Sequence, residues 1–162
     1  RNRRVQLGEQ VTLLVEDEMT IRYQVQDVLR AEQIFEVRAI REELDAYNPL
    51  IPDRSNLKAT MMLENPDPVE RARELARLIG MEDNVLLLVC GETIAALADE
   101  DLKWENDVKT SAVHFLKFEL AVSAAKALKS GSDIRVSIDR PNCSIQVWLP
   151  DQLRASICTD LA

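Results

Sequence analysis

This sequence predicts an α+β fold: a mainly antiparallel β-sheet with about four to five helices packed on it. Two observations carry that expectation. Short runs in which apolar and polar residues alternate are joined by tight turns, and only antiparallel strands can be joined so closely. Helical patterns fall between groups of such runs and not after every strand, so no βαβ unit repeats along the chain. With 162 residues the chain has the length of one well-buried core, and residues 1–162 are expected to form a single globular domain.

The elements follow in order. Val5 and Leu7, then Val11, Leu13 and Val15, alternate on either side of Gly8-Glu9, the pattern of a β-hairpin with one buried face. In the acidic group Glu16-Asp17-Glu18, Asp17 suits the N-cap of the next helix and its charge suits the helix dipole. Ile21, Val25, Val28 and Leu29 then give an amphipathic helix, with Tyr23, Gln26, Asp27 and Arg30 on a neighbouring polar stripe. That stripe is expected to be a solvated face or one wall of a polar pocket. Val37, Ile40, Leu44 and Tyr47 continue with helical spacing until Asn48-Pro49, where proline drives its predecessor out of the helical region.

Residues 49–55 read as a loop that carries Leu50 and Ile51 in its middle. Burying those two side chains would fix the loop and let Asn48, Asp53 and Asn56 hold definite positions. Leu57, Ala59, Met61 and Leu63 alternate as a strand that Asn65-Pro66 stops. In Asp67-Pro68-Val69-Glu70 the aspartate suits the N-cap, the proline the first helical position and the glutamate the third; Ala72, Leu75, Ala76 and Ile79 are the expected buried stripe. Gly80 ends that helix. The continuous apolar run 85–89 suits a central strand buried on both faces, which Cys90-Gly91-Glu92-Thr93 turns back into 94–98. An acidic linker over 99–107 is expected to be exposed. Residues 111–120 form a strand with Ala112, His114, Leu116, Phe118 and Leu120 on one apolar face. A short helix over 121–128, a hairpin of Ile134, Val136 and Ile138 with Ile145, Val147 and Leu149, and a helix from Pro150 through Ile157 complete the chain.

Composition narrows the function. Twenty basic residues against 28 acidic ones leave a formal charge of −8, which repels a phosphate backbone, so no nucleic-acid partner is expected. The basic opening Arg1-Asn2-Arg3-Arg4 is expected to be a solvated tail. Aromatic residues make up 4%, leaving few rings on which a base or planar cofactor could stack. Cys90, Cys143 and Cys158 are odd in number and widely spaced, which argues against a disulfide framework or a thiolate zinc site and for a reducing, cytoplasmic setting. No run of apolar residues is long enough for a membrane span.

The inventory for catalysis is thin. His114 is the only histidine, and on an apolar strand face it is expected to be a hydrogen-bonded core imidazole. As a metal ligand it would need carboxylates from elsewhere, such as Glu42, Glu43 or Asp45, because Glu119 lies on the opposite face of its strand and no E-x-x-H pair is present. Cys90 and Cys143 are both far in sequence from that imidazole, so a thiol nucleophile depends on the fold. Four glycines, never grouped, exclude a phosphate-cradling loop. Lys109-Thr110-Ser111, at the entrance to the histidine's strand, suits either an anion or carboxylate holder or an ordinary turn.

Three stretches, Ile21-Arg22-Tyr23-Gln24-Val25-Gln26-Asp27-Val28-Leu29-Arg30, Glu43-Leu44-Asp45-Ala46-Tyr47-Asn48-Pro49-Leu50-Ile51-Pro52 and Lys109-Thr110-Ser111-Ala112-Val113-His114-Phe115-Leu116, together resemble an uncharacterised bacterial family, domain of unknown function 3501. The likeness runs from about Arg3 to Cys143. It implies a bacterial cytoplasmic protein without an assigned activity or known cofactor. It also implies relatives encoded beside rubrerythrin-like and iron–sulfur proteins, hence a link to oxidative-stress or iron metabolism. Relatives often carry a second histidine where this chain has Lys117, which weakens a metal site across that strand. Two hypotheses follow. One is a binding or adaptor module, possible as a homo-oligomer, that presents Tyr23, Gln26, Arg30, Tyr47, Asn48, Asp53, Asn56, Lys109, Thr110, Ser111 and His114 as one recognition surface. The alternative is a small metal-dependent or redox enzyme centred on His114, with Glu43, Asp45 or Tyr23 as its partners.

Overall fold

The alternating runs fold as antiparallel strands in the computed structural model, which describes residues 3–77, 80–98, 112–141 and 143–162. In the first hairpin β1 (Arg4–Leu7) pairs with β2 (Val11–Val15), setting Val5 opposite Leu13 and Leu7 opposite Val11. β3 (Asn56–Leu63) continues from β2, and β4 (Val85–Val89) and β5 (Glu92–Ala95) form a second hairpin. Cys90 and Gly91 make that turn with φ of 49° and 81°, the left-handed pair that matches strand twist in two-residue hairpins. After β6 (Leu97–Ala98), β7 (Val113–Glu119), β8 (Ile134–Arg140) and β9 (Cys143–Trp148), the strand orders are β1-β2-β3-β7-β6 in one sheet and β5-β4-β8-β9 in the other.

The two sheets form one nearly closed wall. Between β5 and β6, buried Ala96 donates its N–H to the Val85 carbonyl at 2.9 Å, so a single stretch of chain leaves the edge of one sheet and joins the edge of the other. On the far side β1 packs against β9. There Gly8 has φ +74°, and a Cβ at that position would sit 3.1 Å from Ile145 Cδ1. The positive φ is what calls for glycine, and a side chain there would also make the Ile145 methyl give way by a few tenths of an ångström.

Inside the wall lie Leu7, Leu13, Met61, Leu87, Leu116, Phe118, Val136 and Ile138, contributed by strands of both sheets. Helices α4 (Val122–Lys129) and α5 (Asp151–Asp160) add Leu128, Leu153 and Ile157 to the same core. Helices α1 (Glu18–Ala31) and α2 (Val37–Tyr47) instead form a hairpin outside it. They close a second, smaller cluster of Ile21, Val25, Tyr47 and Leu50 over Phe115, which points outward from β7 while its neighbours Leu116 and Phe118 belong to the barrel core. Helix α3 (Pro68–Arg77) starts as its sequence dictates, with Asp67 Oδ1 accepting the N–H of Val69 at 2.8 Å and of Glu70 at 3.2 Å.

An α+β fold with antiparallel sheets is therefore what the sequence encodes, and the structure departs from the expectations first at the run 94–98, which is no single return strand but divides at Ala96 between the two sheets. Ala72 and Ala76 of α3 face solvent and only Leu75 of the expected stripe reaches the core; Ile79 lies outside the described residues. Leu86 and Leu88 of β4 are half-buried, so that strand is fully covered on one face only. Arg3 belongs to no solvated tail: it is 2% exposed.

Candidate functional site

The helical hairpin begins with a well-made helix start. Asp17 Oδ1 accepts the Thr20 N–H at 2.7 Å while the Asp17 N–H donates to Thr20 Oγ1 at 2.9 Å, a reciprocal cap that fixes where α1 leaves β2. Glu18 in its first turn and Arg30 in its last both complement the helix dipole. Ile21 and Val25 turn inward to meet Tyr47 and Leu50. Burial, with the nearby charges of Glu43 and Glu32, pushes the Tyr47 phenol above its ordinary pKa.

The segment after α2 is shorter on freedom than a loop. Residues Asn48–Leu50 form a 3-10 turn, Leu50 is buried, Ile51 packs beside it, and the Lys58 ammonium donates to the Pro49 carbonyl. Asp53 Oδ1 then accepts both the Ser55 N–H at 2.9 Å and the Ser55 hydroxyl at 2.7 Å, and these two bonds lower the carboxyl's pKa. Asn56, buried at the start of β3, accepts the Asp53 N–H at 3.2 Å through Oδ1.

Two of the three stretches expected to carry the site, the α1 stripe and the loop after α2, therefore meet, together with Phe115 of β7, and what joins them is apolar. The polar candidates lie around that contact. Tyr23, Gln26 and Arg30 are exposed on α1, and Asn48 and Asp53 are exposed at the turn, so the α1 stripe is a solvated face and not a pocket wall. Tyr47, at the end of α2, and Asn56, at the start of β3, are buried, so their places in the recognition surface are corrected to supporting ones. Lys109, Thr110 and Ser111 fall outside the described residues, as does the 99–107 linker.

What the hairpin does present is apolar. Phe35 is 79% exposed, Val37 67%, Tyr23 60% and Leu44 40%, and Met19 is also open. Half of the large apolar side chains exposed among the described residues thus sit on this one supersecondary unit. Scattered exposed apolar residues need no explanation, but a group of them on one projecting element does. The helical period of Val37, Ile40 and Leu44 was the available signal; it marks an apolar stripe without saying whether the protein itself covers it.

A second group was not legible in the sequence. Arg3, at the entry to β1, donates from Nε to the Val15 carbonyl at 2.7 Å, from Nη1 to Ser156 Oγ at 2.6 Å and from Nη2 to Asp160 Oδ2 at 2.6 Å, and Asp17 Oδ2 lies 3.2 Å from Nη1. Glu16 beside it is buried, with Oε1 accepting from the Thr60 hydroxyl at 2.6 Å and the Gln24 amide at 2.8 Å, and Oε2 from the Thr20 hydroxyl. These groups tie β1, β2, β3, α1 and α5 together. Every oxygen of Glu16 is engaged, so the cluster holds the fold and offers no open valence for chemistry.

His114 is half-buried at the end of the barrel face it shares with Leu116 and Phe118, with Glu82 Oε2 3.9 Å from its Nδ1. That is an ion-pair distance and not a hydrogen bond. The carboxylate comes from the 3-10 turn Glu82–Asn84, and not from Glu43 or Asp45. Among the described residues no three His, Cys, Asp or Glu side chains are grouped so as to hold a metal ion. Lys117 pairs with Glu119 at 2.5 Å. Cys90 is exposed in its turn, and Cys158 Sγ donates to the Leu128 carbonyl at 3.0 Å, so neither described thiol stands beside a base. No helix among the described residues is long and apolar enough to cross a membrane.

Comparison with known proteins agrees with this fold. A solved structure from Burkholderia pseudomallei K96243, a novel protein of unknown function, superposes with a TM-score of 0.92 at 45% identity, covering 99% of this chain and 84% of that one. No curated protein matches. The family model described as protein of unknown function DUF3501 matches residues 1–161, extending the likeness past Cys143 through α5. The chain belongs to the DUF3501 family.

Proposed function

We propose that this protein is a recognition module that binds a protein partner through the α1–α2 hairpin, with the turn at Asn48–Leu50 as its rigid base. One observation carries the proposal: Phe35, Val37 and Leu44 stand open to solvent on and beside α2 although Tyr47 and Leu50 at its end are buried. Leaving such side chains exposed forgoes about 1.5–3 kcal/mol each relative to burial, a cost that a partner would recover. The open polar groups Tyr23, Gln26, Arg30, Asn48 and Asp53 form the rim of the same surface, as a protein interface requires around an apolar centre. A cytoplasmic setting belongs to the proposal, and the family resemblance makes rubrerythrin-like and iron–sulfur proteins the heterologous partners to try first.

The test is site-specific photo-crosslinking in living cells. A photoreactive residue at Val37 is expected to give a discrete adduct, and one at Val122, equally open on α4, is expected to give none. Equal labelling from both positions, or none from either, counts against the hairpin as a working surface.

A further inference from the structure

The charge order of α2 identifies what covers it. Its basic residues, Arg38 and Arg41, lie in the N-terminal half, and its acidic ones, Glu42, Glu43 and Asp45, in the C-terminal half. No acidic residue occupies the first turn and no basic one the last, and the N-cap Glu36 makes no side-chain capping bond. A helix dipole favours the reverse order, because its N-terminus carries partial positive charge and its C-terminus partial negative charge. The arrangement works against the helix that carries it.

It suits an antiparallel mate of the same sequence. Placed side by side in opposite directions, two copies of α2 bring Arg38 of one beside Asp45 of the other, on one flank of the apolar stripe and near the negative end of the other's dipole. The apolar stripe obeys the same symmetry. Val37 and Leu44 are seven residues, two turns, apart on one side of the helix. A two-fold axis midway between them sets Val37 of each copy on Leu44 of the other, with Ile40 near the axis. Phe35 precedes the cap at the place where an apolar residue usually staples back onto the fourth helical position, here Ile40. At 79% exposure it does not, and it stays free to extend the contact.

We infer that α2 is the self-association surface of this protein, packing antiparallel on α2 of a second copy about a two-fold axis. This rests on the hairpin being the recognition surface and names its occupant. A pair of helices this short buries less than the roughly 1,200 Å² of a standard interface. The dimer is therefore weak, forming in the micromolar range, and salt-sensitive.

Sedimentation velocity over a micromolar concentration series tests it, with circular dichroism confirming that every variant is folded. The wild-type chain is expected to pass from monomer to dimer, and Leu44→Glu to remain monomeric. The decisive arm uses two charge-reversed chains, Arg38→Glu and Asp45→Arg. Each is expected to be monomeric alone, and an equimolar mixture of the two to form a heterodimer. A wild-type chain that stays monomeric throughout, a dimer that survives Leu44→Glu, or reversed chains that fail to pair when mixed would overturn the inference. The broader reading stands or falls separately: a Val37 photo-adduct containing a chain of different mass would keep the recognition surface while removing the second copy from it.

Discussion

The two helices of the hairpin are adjacent and obey opposite rules. Helix α1 satisfies itself: Asp17 and Thr20 cap it reciprocally, Glu18 and Arg30 sit at the ends their charges favour, and Ile21 and Val25 are buried. Helix α2 has no side-chain cap, its charges run against its dipole, and of its apolar residues only Tyr47 is buried. Local signals that agree with the fold belong to elements whose task is to be stable. Local signals that conflict with it point outward, to something the isolated chain lacks.

The comparison can be broken most forcefully at the start of α1. Arg3→Met leaves Asp17 and the partly covered Asp160 without their buried counter-charge, and removing one partner of such a cluster costs about 3–5 kcal/mol. Equilibrium unfolding in urea should register that loss, and a loss below about 1 kcal/mol would make the cluster no more than a surface pair. Asp17→Ala, which removes both the cap and one ion-pair arm, is expected to cost about 1–2 kcal/mol. Substitutions on α2 should leave folding almost untouched. Leu44→Glu is expected to move the unfolding free energy by no more than about 0.5 kcal/mol while abolishing association.

A charge correction sharpens the contrast further. Arg38→Glu with Asp45→Lys gives α2 the order its dipole favours, at the cost of the exposed Arg38–Glu42 pair, and is expected to stabilise the monomer by about 0.5 kcal/mol. Exchanging both charges in one chain still sets an acid opposite a base across the two-fold axis, so the dimer should persist while the monomer gains stability.

The smallest effect is a pH dependence. Tyr47 has a raised pKa in the folded state, so its contribution is complete below the ordinary phenol value of about 10 and is lost as pH rises towards the folded-state value. Thermal melts across the alkaline range should show the wild type losing stability faster than Tyr47→Phe. Parallel slopes would remove Tyr47 as the cause.

What was legible in the sequence was local. Asp17 and Asp67 cap residues three positions away, and strand alternation has a period of two, so both can be read from a few consecutive letters. Arg3 could not be placed, because Ser156 and Asp160 lie 153 and 157 residues further along the chain and nothing beside Arg3 announces them. His114 was rightly set on a strand face with Leu116 and Phe118, but its carboxylate neighbour Glu82 comes from a 3-10 turn with no motif. Tyr47 and Leu44 belong to one helical stripe, yet one is buried and the other open, because periodicity gives the direction of a side chain and not the length of its cover.

Hydrogen exchange of the backbone amides, followed in α1 and α2 at low and high protein concentration, tests the contrast most directly. Amides of α2 are expected to exchange quickly in dilute solution and to gain protection as concentration rises, while α1, held by its own cap and core, stays protected throughout. If α2 matched α1 at every concentration, the helix would be complete in itself, and the claim that it is built for a partner would fail.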